Sequence, residues 1–379
     1  MQAGTMTPDK RLEKIIDDGL CIGCGLCTAI ASEDAPPFGR DGEGEPRPFA
    51  GPALDDAVMD LVYDICPGFN LEGLPQELAS AAPQQDLVWG PHVRMLQAHA
   101  GDPQQRHEAA TGGALTALAC QLLESGEVGM IAHVRAADKP PHFGEATVSR
   151  TTEEVLAAAG SRYGPTAALA RIGSLLDGNE PFALIAKPCD LNAMRRLAHH
   201  DPRVDRLVRY WLTPVCGGYM PDVGFRRFAS RMGHDPDSIT AVRYRGHGCP
   251  GPTRIEQSDG SAAEHHYLDV WGDDDSQWVL SFRCKVCADA RGGENRPRKQ
   301  CRNCPHASRR AACRGGNQIG TACRGDGTGH RRSGPYATAP CPQEVERACT
   351  LPRPCRRRQS RASPFQYAGG AAGCCSRRG

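Results

Sequence analysis

The spacing of four cysteines near the start of the chain constrains its fold more than any other feature. Three of them recur at every third residue in the stretch CIGCGLC, residues 21–27, and the fourth, Cys66, directly precedes Pro67. Gly23 and Gly25 carry no side chain, so this loop can curl until its sulfurs converge. A proline after the fourth cysteine turns the chain away from the bound group, as in bacterial ferredoxin patterns.

We interpret these thiols as the ligands of a [4Fe-4S] cluster, which needs four sulfurs: Cys21, Cys24, Cys27 and Cys66. Structural zinc is an alternative, but it needs a second C-x-x-C pair or nearby histidines, and residues 28–65 contain neither. The same interval lacks a second ferredoxin motif, so this ferredoxin-like segment is half of a two-cluster ferredoxin at most. Unliganded thiols are the third interpretation.

The cysteine content also bears on the compartment. The 19 cysteines would indicate disulfides in a small secreted protein, but this chain has 379 residues and no apolar signal-peptide region in its first 20. We find no run of about 18 apolar residues, so we expect no transmembrane segment. We therefore expect a cytoplasmic protein whose clustered thiols bind metal.

From about residue 105 the pattern alternates between helix and strand, which indicates an α/β fold with a mixed or parallel sheet. The stretch ATGGALTALACQLLESG predicts a helix that ends at Gly126, and VGMIAHVRA predicts a buried strand. Thr151 and Glu154 predict a capping box for the next helix, with Gly160 as its stop.

Two further strands lead into cysteines. PFALIAKPCD runs into Cys189 and VRYWLTPVCGG into Cys216, and the loops after parallel strands share one crevice. The pair Cys284 and Cys287 follows the strand-like stretch DSQWVLSF, residues 275–282, and would complete the four thiolates of a second cluster. A cysteine at a strand end is often only a small apolar residue packed in the core, so the residues alone do not establish a second cluster site.

Seven motifs occur in a fixed order: CIGCGLC with CPG, ATGGALTAL, AAAGSRYGP, IAKPCDLNAMRRL, PVCGG, YRGHGCPGPTRIE and FRCKVCADA. This series resembles the beta subunits of coenzyme F420-reducing hydrogenases and their relatives, a family that includes ferredoxin-dependent chlorophyll-type reductases. The resemblance covers about residues 15–292. It implies an iron–sulfur flavoprotein that binds FAD and passes electrons between clusters, flavin and a two-electron acceptor.

The resemblance also implies which residues bind the cofactors. The family's two cluster sites fall on Cys21, Cys24, Cys27 and Cys66, and on Cys189, Cys216, Cys284 and Cys287. The flavin falls near Thr111, Gly112 and Gly113, and near Gly160, Ser161, Arg162 and Tyr163. A Gly-Gly turn that opens a helix offers N–H groups to a pyrophosphate, although most such turns are only caps.

Two side chains are candidates for catalysis. Lys187 would balance the charge of a flavin or deazaflavin anion, or else it is a solvated charge at a strand end. His247 lies in a loop that the family places near the active crevice and would transfer a proton during substrate reduction, or else it is a surface histidine.

The chain changes character after residue 290. Residues 291–379 contain eighteen arginines, one lysine and four acidic residues. Residues 1–290 carry a net negative charge, which argues against nucleic-acid binding by residues 1–290. Only three of the residues after 290 are Ile, Leu or Val, so we expect a disordered tail without a core. A zinc module would use Cys301, Cys304, His306 and Cys313, but it lacks apolar residues to pack around the metal.

A basic arm would mix lysine with arginine and would not contain nine cysteines. The tail composition is instead what a G+C-rich gene gives when it is read out of frame, and we hypothesise a frameshift between about codons 288 and 294. We expect three parts: an iron–sulfur segment over 1–95, an FAD-binding oxidoreductase domain over 96–292 and an aberrant tail over 293–379.

The sequence thus predicts an oxidoreductase that transfers electrons between [4Fe-4S] clusters, FAD and an acceptor such as coenzyme F420. Its expected partners are ferredoxin or hydrogenase and dehydrogenase subunits. The alternatives are a ferredoxin-dependent tetrapyrrole reductase, an electron-transfer subunit without its own substrate, and an inactive product of the altered frame.

Overall fold

The computed structural model describes residues 6–30, 36–49, 55–86, 89–271 and 279–287. These residues form a mixed α/β structure, as the alternating sequence pattern predicts. The expectations for the tail over 293–379 fall outside the described residues. None of the helices in the described ranges combines the length and the apolar character needed to cross a membrane.

Within these residues the helices, α1 to α13, span Pro8–Asp17, Leu26–Ile30, Asp56–Ile65, Gln76–Ala81, Pro103–Glu108, Ala114–Glu124, Thr152–Ala157, Ile172–Asp177, Pro188–Leu197, Arg203–Leu207, Asp222–Arg231, Tyr267–Trp271 and Phe282–Lys285. The strands, β1 to β9, span Phe38–Arg40, Pro46–Pro48, Met130–Ala136, Gly144–Ser149, Phe182–Ile185, Val208–Leu212, Ile239–Arg243, Thr253–Gln257 and Ala262–His265. A short 3-10 turn at Ala110–Gly113 precedes α6.

A four-stranded sheet with the order β4-β3-β5-β6 is the centre of the fold. Strand β5 runs parallel to both β3 and β6, whereas β4 pairs with β3 in the antiparallel sense. The sheet is therefore mixed. Because β5 and β6 are parallel neighbours, the segments that follow them leave from the same edge: Cys189 lies in the first turn of α9 after β5, and Cys216 lies in the loop after β6.

Both faces of this sheet are covered by helices. Ile131 and Ala183 pack with Leu118 and Leu122 of α6 on one face. Phe182 and its neighbours on the opposite face pack against α8 and α9. Alternate residues of a strand point to opposite faces, which explains why Phe182 and Ala183 belong to different parts of the core.

Two smaller units flank the sheet. The antiparallel strands β7, β8 and β9 pack against Phe225 and Phe228 of α11. Near the start of the chain, α1 and α3 enclose a small apolar cluster: Leu12, Ile15, Met59 and Val62.

Most of the local predictions are confirmed. Helix α6 lies where the leucine spacing predicts it, and the reciprocal capping box joins Thr151 and Glu154. Helix α7 ends at Ala157, shortly before Gly160. Half of the strand predicted over residues 275–282 falls outside the described residues. The prediction is wrong for the other half, because residues 279–281 form no strand and Phe282 begins α13 after the N-cap Ser281.

Candidate functional site

The four N-terminal cysteines line one cavity, which we call the first thiol cavity: Cys21, Cys24, Cys27 and Cys66. The loop that carries three of them has Gly23 at φ +62° and Gly25 at φ +83°, where residues with a side chain are strained. A Cβ on Gly25 would lie 2.9 Å from the Cβ of Ala170, so the loop also packs closely against the segment before α8.

The fourth thiol reaches this cavity through α3. Asp55 caps the helix by accepting a hydrogen bond from Val58 N–H at 2.7 Å, and Cys66 follows the last helical turn. The rest of the wall is apolar and includes Leu12, Ile15, Val62 and Ile65. An apolar wall keeps water away from a bound metal and tunes its chemistry.

Burial governs the acidity of these thiols. It raises the pKa of Cys24 well above its ordinary value, that of Cys27 to about 12 and that of Cys66 to about 11. Burial also raises the pKa of Cys21, while the nearby Arg47 charge acts in the opposite direction. The Gly23 N–H donates a hydrogen bond to Cys21 Sγ at 3.4 Å.

The second set of cysteines lines a second thiol cavity: Cys189, Cys216, Cys284 and Cys287. Helix α9 begins beside Cys189, and the loop after β6 carries Cys216, whose sulfur accepts a hydrogen bond from Gly218 N–H at 3.4 Å. The short helix α13 supplies Cys284. The strand-end cysteines and the C-x-x-C pair thus meet, as the sequence predicts, although this leaves their role as ligands a prediction.

Lys187 lies at the second thiol cavity and is not among the residues that line the cavity around Gly160 and Arg162. Its Nζ is 2.8 Å from Asp190 Oδ2 and donates a hydrogen bond to Thr166 Oγ1 at 2.8 Å. This position suits charge balance at the thiols better than charge balance at a flavin.

In the described ranges no group of three or more Cys, His, Asp or Glu side chains forms a site for a single metal ion. Each set of four thiols instead surrounds a cavity, which fits a larger inorganic core with sulfur ligands on its corners. Ile22 lines both thiol cavities, so the two candidate sites are neighbours.

A third cavity, of about 440 Å³, contains several of the residues predicted to bind a flavin or to act in catalysis. We call it the arginine cavity. Gly160, Ser161 and Arg162 line it together with His247. A cleft of this size lies in the range that small cofactors occupy.

The Thr111–Gly113 turn lies beside the arginine cavity. Its three residues all have positive φ values, 53°, 71° and 70°. They are not among the residues that line the cavity, but Ala109 before the turn and Thr116 after it are. A Cβ on Gly113 would lie 3.2 Å from Gln105 O, so the turn is closely packed as well.

Sequence inspection missed two arginines that line the same cavity, Arg243 and Arg245. The guanidinium of Arg245 stacks 5.0 Å from the Tyr267 ring centroid, and its Nε donates to Pro250 O at 3.3 Å. Arg162 donates to Val242 O at 3.1 Å, and its buried Nε has no hydrogen-bond partner. Within the described residues neither Arg162 nor Arg245 pairs with a carboxylate.

Two carboxylates, Asp102 and Glu108, also line the arginine cavity, and both already accept hydrogen bonds. Asp102 caps α5 through Gln105 N–H, and Glu108 accepts from the Gln104 amide at 2.9 Å. Arg243 pairs with Glu264 at 2.9 Å, so Arg162 and Arg245 are the two arginines of the cavity that can serve an anionic ligand.

His247 and Tyr163 occupy different surroundings. His247 is exposed, has φ 55°, and its ring centroid lies 5.8 Å from that of His107. Tyr163 packs against Tyr244, with ring centroids 5.1 Å apart. An exposed imidazole at the mouth of a cavity can exchange a proton with solvent. Tyr163 instead accepts a hydrogen bond from the Arg245 side chain.

Models of the coenzyme F420 hydrogenase/dehydrogenase beta subunit family match residues 95–172 with the N-terminal part and 179–312 with the C-terminal part. The second match continues past residue 292, where the resemblance was expected to end, and neither match includes the first thiol loop.

Two relatives come from Methanocaldococcus jannaschii. A coenzyme F420-dependent sulfite reductase is 26% identical over 208 residues, which are 52% of this chain but 29% of the reductase. An uncharacterized protein is 24% identical over 303 residues, 74% of this chain and 79% of that protein. The chain thus spans less than a third of the reductase's length.

Among solved structures, a chain of the F420-reducing [NiFe] hydrogenase complex from Methanosarcina barkeri shares 20% identity with a TM-score of 0.42. The likeness covers 54% of this chain and 69% of that one. The two family matches together take in more than half of the sequence. The chain therefore belongs to the coenzyme F420 hydrogenase/dehydrogenase beta subunit family of electron-transferring oxidoreductases.

Proposed function

We propose that this chain is an iron–sulfur flavoprotein that moves electrons between two [4Fe-4S] clusters, FAD and a two-electron acceptor such as coenzyme F420. The observation that carries the proposal is the sorting of eight predicted cysteine ligands into two four-thiol cavities that share the side chain of Ile22. Membership in a family of redox proteins supports it.

The residues of each thiol cavity have separate tasks. Four cysteine sulfurs would hold the inorganic core, and the apolar side chains around the first thiol cavity would exclude water from it. N–H groups of Gly23 and Gly218 already point to sulfur, and hydrogen bonds to sulfur raise the reduction potential of such sites. Ile22 lines both cavities, so the two sites are neighbours, which favours electron transfer between them.

The arginine cavity would hold the flavin. Arg162 and Arg245 offer guanidinium groups to a pyrophosphate, and the Thr111–Gly113 turn lies beside them at the start of α6. A bound flavin would supply the coupling of single-electron to two-electron chemistry. His247 would then exchange a proton between solvent and the substrate.

The partners follow from this assignment. Electrons must reach the thiol sites from another redox protein, and we propose ferredoxin or a hydrogenase or dehydrogenase subunit. The family and the relative named as a coenzyme F420-dependent sulfite reductase favour coenzyme F420 as the acceptor. Within a larger complex the chain would act as the electron-transfer subunit.

The first test is the content of iron, acid-labile sulfide and flavin in the anaerobically purified chain, with absorption spectra before and after dithionite. We expect about eight iron and eight sulfide for two clusters, and one flavin per chain. Stoichiometric zinc without sulfide would refute the cluster assignment. Clusters without flavin would refute the assignment of the arginine cavity alone.

A further inference from the structure

Arg283 is a buried residue whose side chain lies near Cys66 of the first thiol cavity. Its side chain is only 4% exposed, and its Nε and Nη2 donate hydrogen bonds to Pro67 O at 3.0 and 2.8 Å. Pro67 directly follows Cys66 of the first thiol cavity, while Cys284 of the second directly follows Arg283. One guanidinium therefore joins the chain segments that supply a thiol to each cavity.

Close packing fixes this arrangement. The Arg283 N–H donates to Gly19 O at 3.2 Å, which anchors α13 at the end of α1. A Cβ on Gly68 would lie 2.2 Å from Leu20 O, so the turn that presents the Pro67 carbonyl has no freedom to move away. The positive charge of Arg283 is thus held at a fixed place near Cys66 of the first thiol cavity.

Arg283 differs from the other cationic side chains near the thiols in its bonding partner. Lys187 pairs with Asp190 at 2.8 Å, and Arg47 lies 3.5 Å from an Asp41 oxygen. In the part of the chain that the structure describes, Arg283 forms no ion pair with a carboxylate, and its side-chain partner is a neutral carbonyl. A guanidinium stays charged at any ordinary pH, and burying it without an anion is unfavourable.

A cluster ligated by four thiolates would supply that anion. It is a dianion when oxidised and a trianion after it accepts one electron, and no bond or proton needs to change in this step. A fixed positive charge stabilises the trianion more than the dianion. Net charge and hydrogen bonding are among the factors that set the potential of such clusters.

We infer that Arg283 is a counter-ion of the first thiol site and raises the reduction potential of the cluster bound there. The inference rests on the proposed function. It assigns to Arg283 a role that does not require contact with substrate or flavin, so Arg283 is a positioning and tuning residue.

The test compares the midpoint potentials of Arg283→Gln, Arg283→Lys and wild-type chains by redox titration followed by electron paramagnetic resonance. Lys285→Gln is the matched control, because it removes one positive charge from the same helix at an exposed side chain. We expect Arg283→Gln to disfavour reduction at least tenfold, which is 59 mV for a one-electron couple. Arg283→Lys and Lys285→Gln should each produce less than a third of that shift.

Several outcomes would overturn the inference. Equal potentials in Arg283→Gln and Lys285→Gln would show that the buried charge has no special effect. If Arg283→Gln does not retain iron, the iron content of Arg283→Lys distinguishes two explanations. Iron in Arg283→Lys would support the need for a positive charge. Loss of iron from Arg283→Lys as well would show that only the guanidinium hydrogen bonds matter, which contradicts the inference. A wild-type chain without iron and sulfide would refute the proposed function itself, which is a different result.

Discussion

The guanidinium of Arg196 binds both the carboxylate and the main-chain carbonyl of Asp64. Asp64 lies in α3 two residues before Cys66, and Arg196 lies in α9, the helix that begins beside Cys189. A second carboxylate oxygen, Glu72 Oε1, is 2.6 Å from Arg196 Nη1. One buried arginine therefore fixes the helices next to both thiol cavities.

Replacing Arg196 by alanine should weaken this connection. We expect the free energy of unfolding to fall by about 2 kcal/mol, because the change removes hydrogen bonds between charged groups at a buried side chain. Urea unfolding of the metal-loaded chain measures the loss. Arg203→Ala is the control, since the Arg203 side chain is 41% exposed and its pairs with Asp177 and Asp201 should contribute under about 1 kcal/mol. Equal losses in the two variants would contradict the special role of Arg196.

Single cysteine variants should separate the two proposed clusters. Cys66→Ser and Cys284→Ser are each expected to remove about half of the bound iron and sulfide, because each damages one four-sulfur site. Cys120→Ser changes a buried thiol of α6 that lines neither thiol cavity, and it should leave the iron content unchanged. Assays of iron and acid-labile sulfide in the three purified variants measure these losses. An unchanged content in both ligand variants would count against the proposal.

The sequence was sufficient to predict the features that depend on spacing. The interval of three between Cys21, Cys24 and Cys27 predicts a single cavity, and the ends of two parallel strands predict that Cys189 and Cys216 meet. Both groupings occur in the structure. Local signals are reliable here because each depends on chain geometry over a few residues or on the shared edge of a sheet.

Contacts between residues far apart in the chain could not be predicted from the sequence. Arg283 meets Pro67 across 216 positions, and no pattern around either residue indicates this pairing. Arg245 follows a strand and reads as an ordinary polar loop residue until the fold brings it beside Arg162. The ion pair of Lys187 with Asp190, three residues later, and its place at the second thiol cavity are likewise not indicated by the sequence pattern.

The arginine cavity should discriminate between flavins by their phosphates. We expect wild-type apoprotein to bind FAD and FMN more tightly than riboflavin, and Arg245→Gln to reduce the affinity for FAD about tenfold, as loss of one charge-assisted hydrogen bond implies. Riboflavin affinity should stay the same in that variant. Fluorescence quenching titrations with the three flavins provide the measurement.

The control for this experiment is Arg254→Gln. Arg254 lies on β8, pairs with Glu256 at 2.8 Å and does not line the cavity, so its removal should leave all three affinities unchanged. If Arg245→Gln weakens riboflavin as much as FAD, the arginine contacts the ring or shapes the cavity instead of binding phosphate. That result would exclude the phosphate assignment and leave flavin binding itself intact.

Acid should destabilise the fold through a buried histidine of the central sheet. His133 lies on β3, is 8% exposed, and its Nε2 is 2.8 Å from Ser149 Oγ. Burial lowers the pKa of His133 from 6.5 to about 4. The unfolded chain therefore binds more protons than the folded one between these two pH values. The contribution of neutral His133 to the stability of the fold is therefore complete above pH 6.5 and is lost as the pH falls toward 4.

A neutral replacement tests this prediction. Between pH 7 and pH 5 the wild-type free energy of unfolding should fall by about 2 kcal/mol more than that of His133→Gln, because the glutamine has no proton to bind. Urea unfolding at both pH values gives the two slopes, and His199→Gln, at an exposed histidine, is the control. Burial also lowers the pKa of His142 to about 4, so some acid sensitivity should remain in the variant. Identical pH dependence in wild type and His133→Gln would mean that His133 takes up its proton without unfolding the sheet.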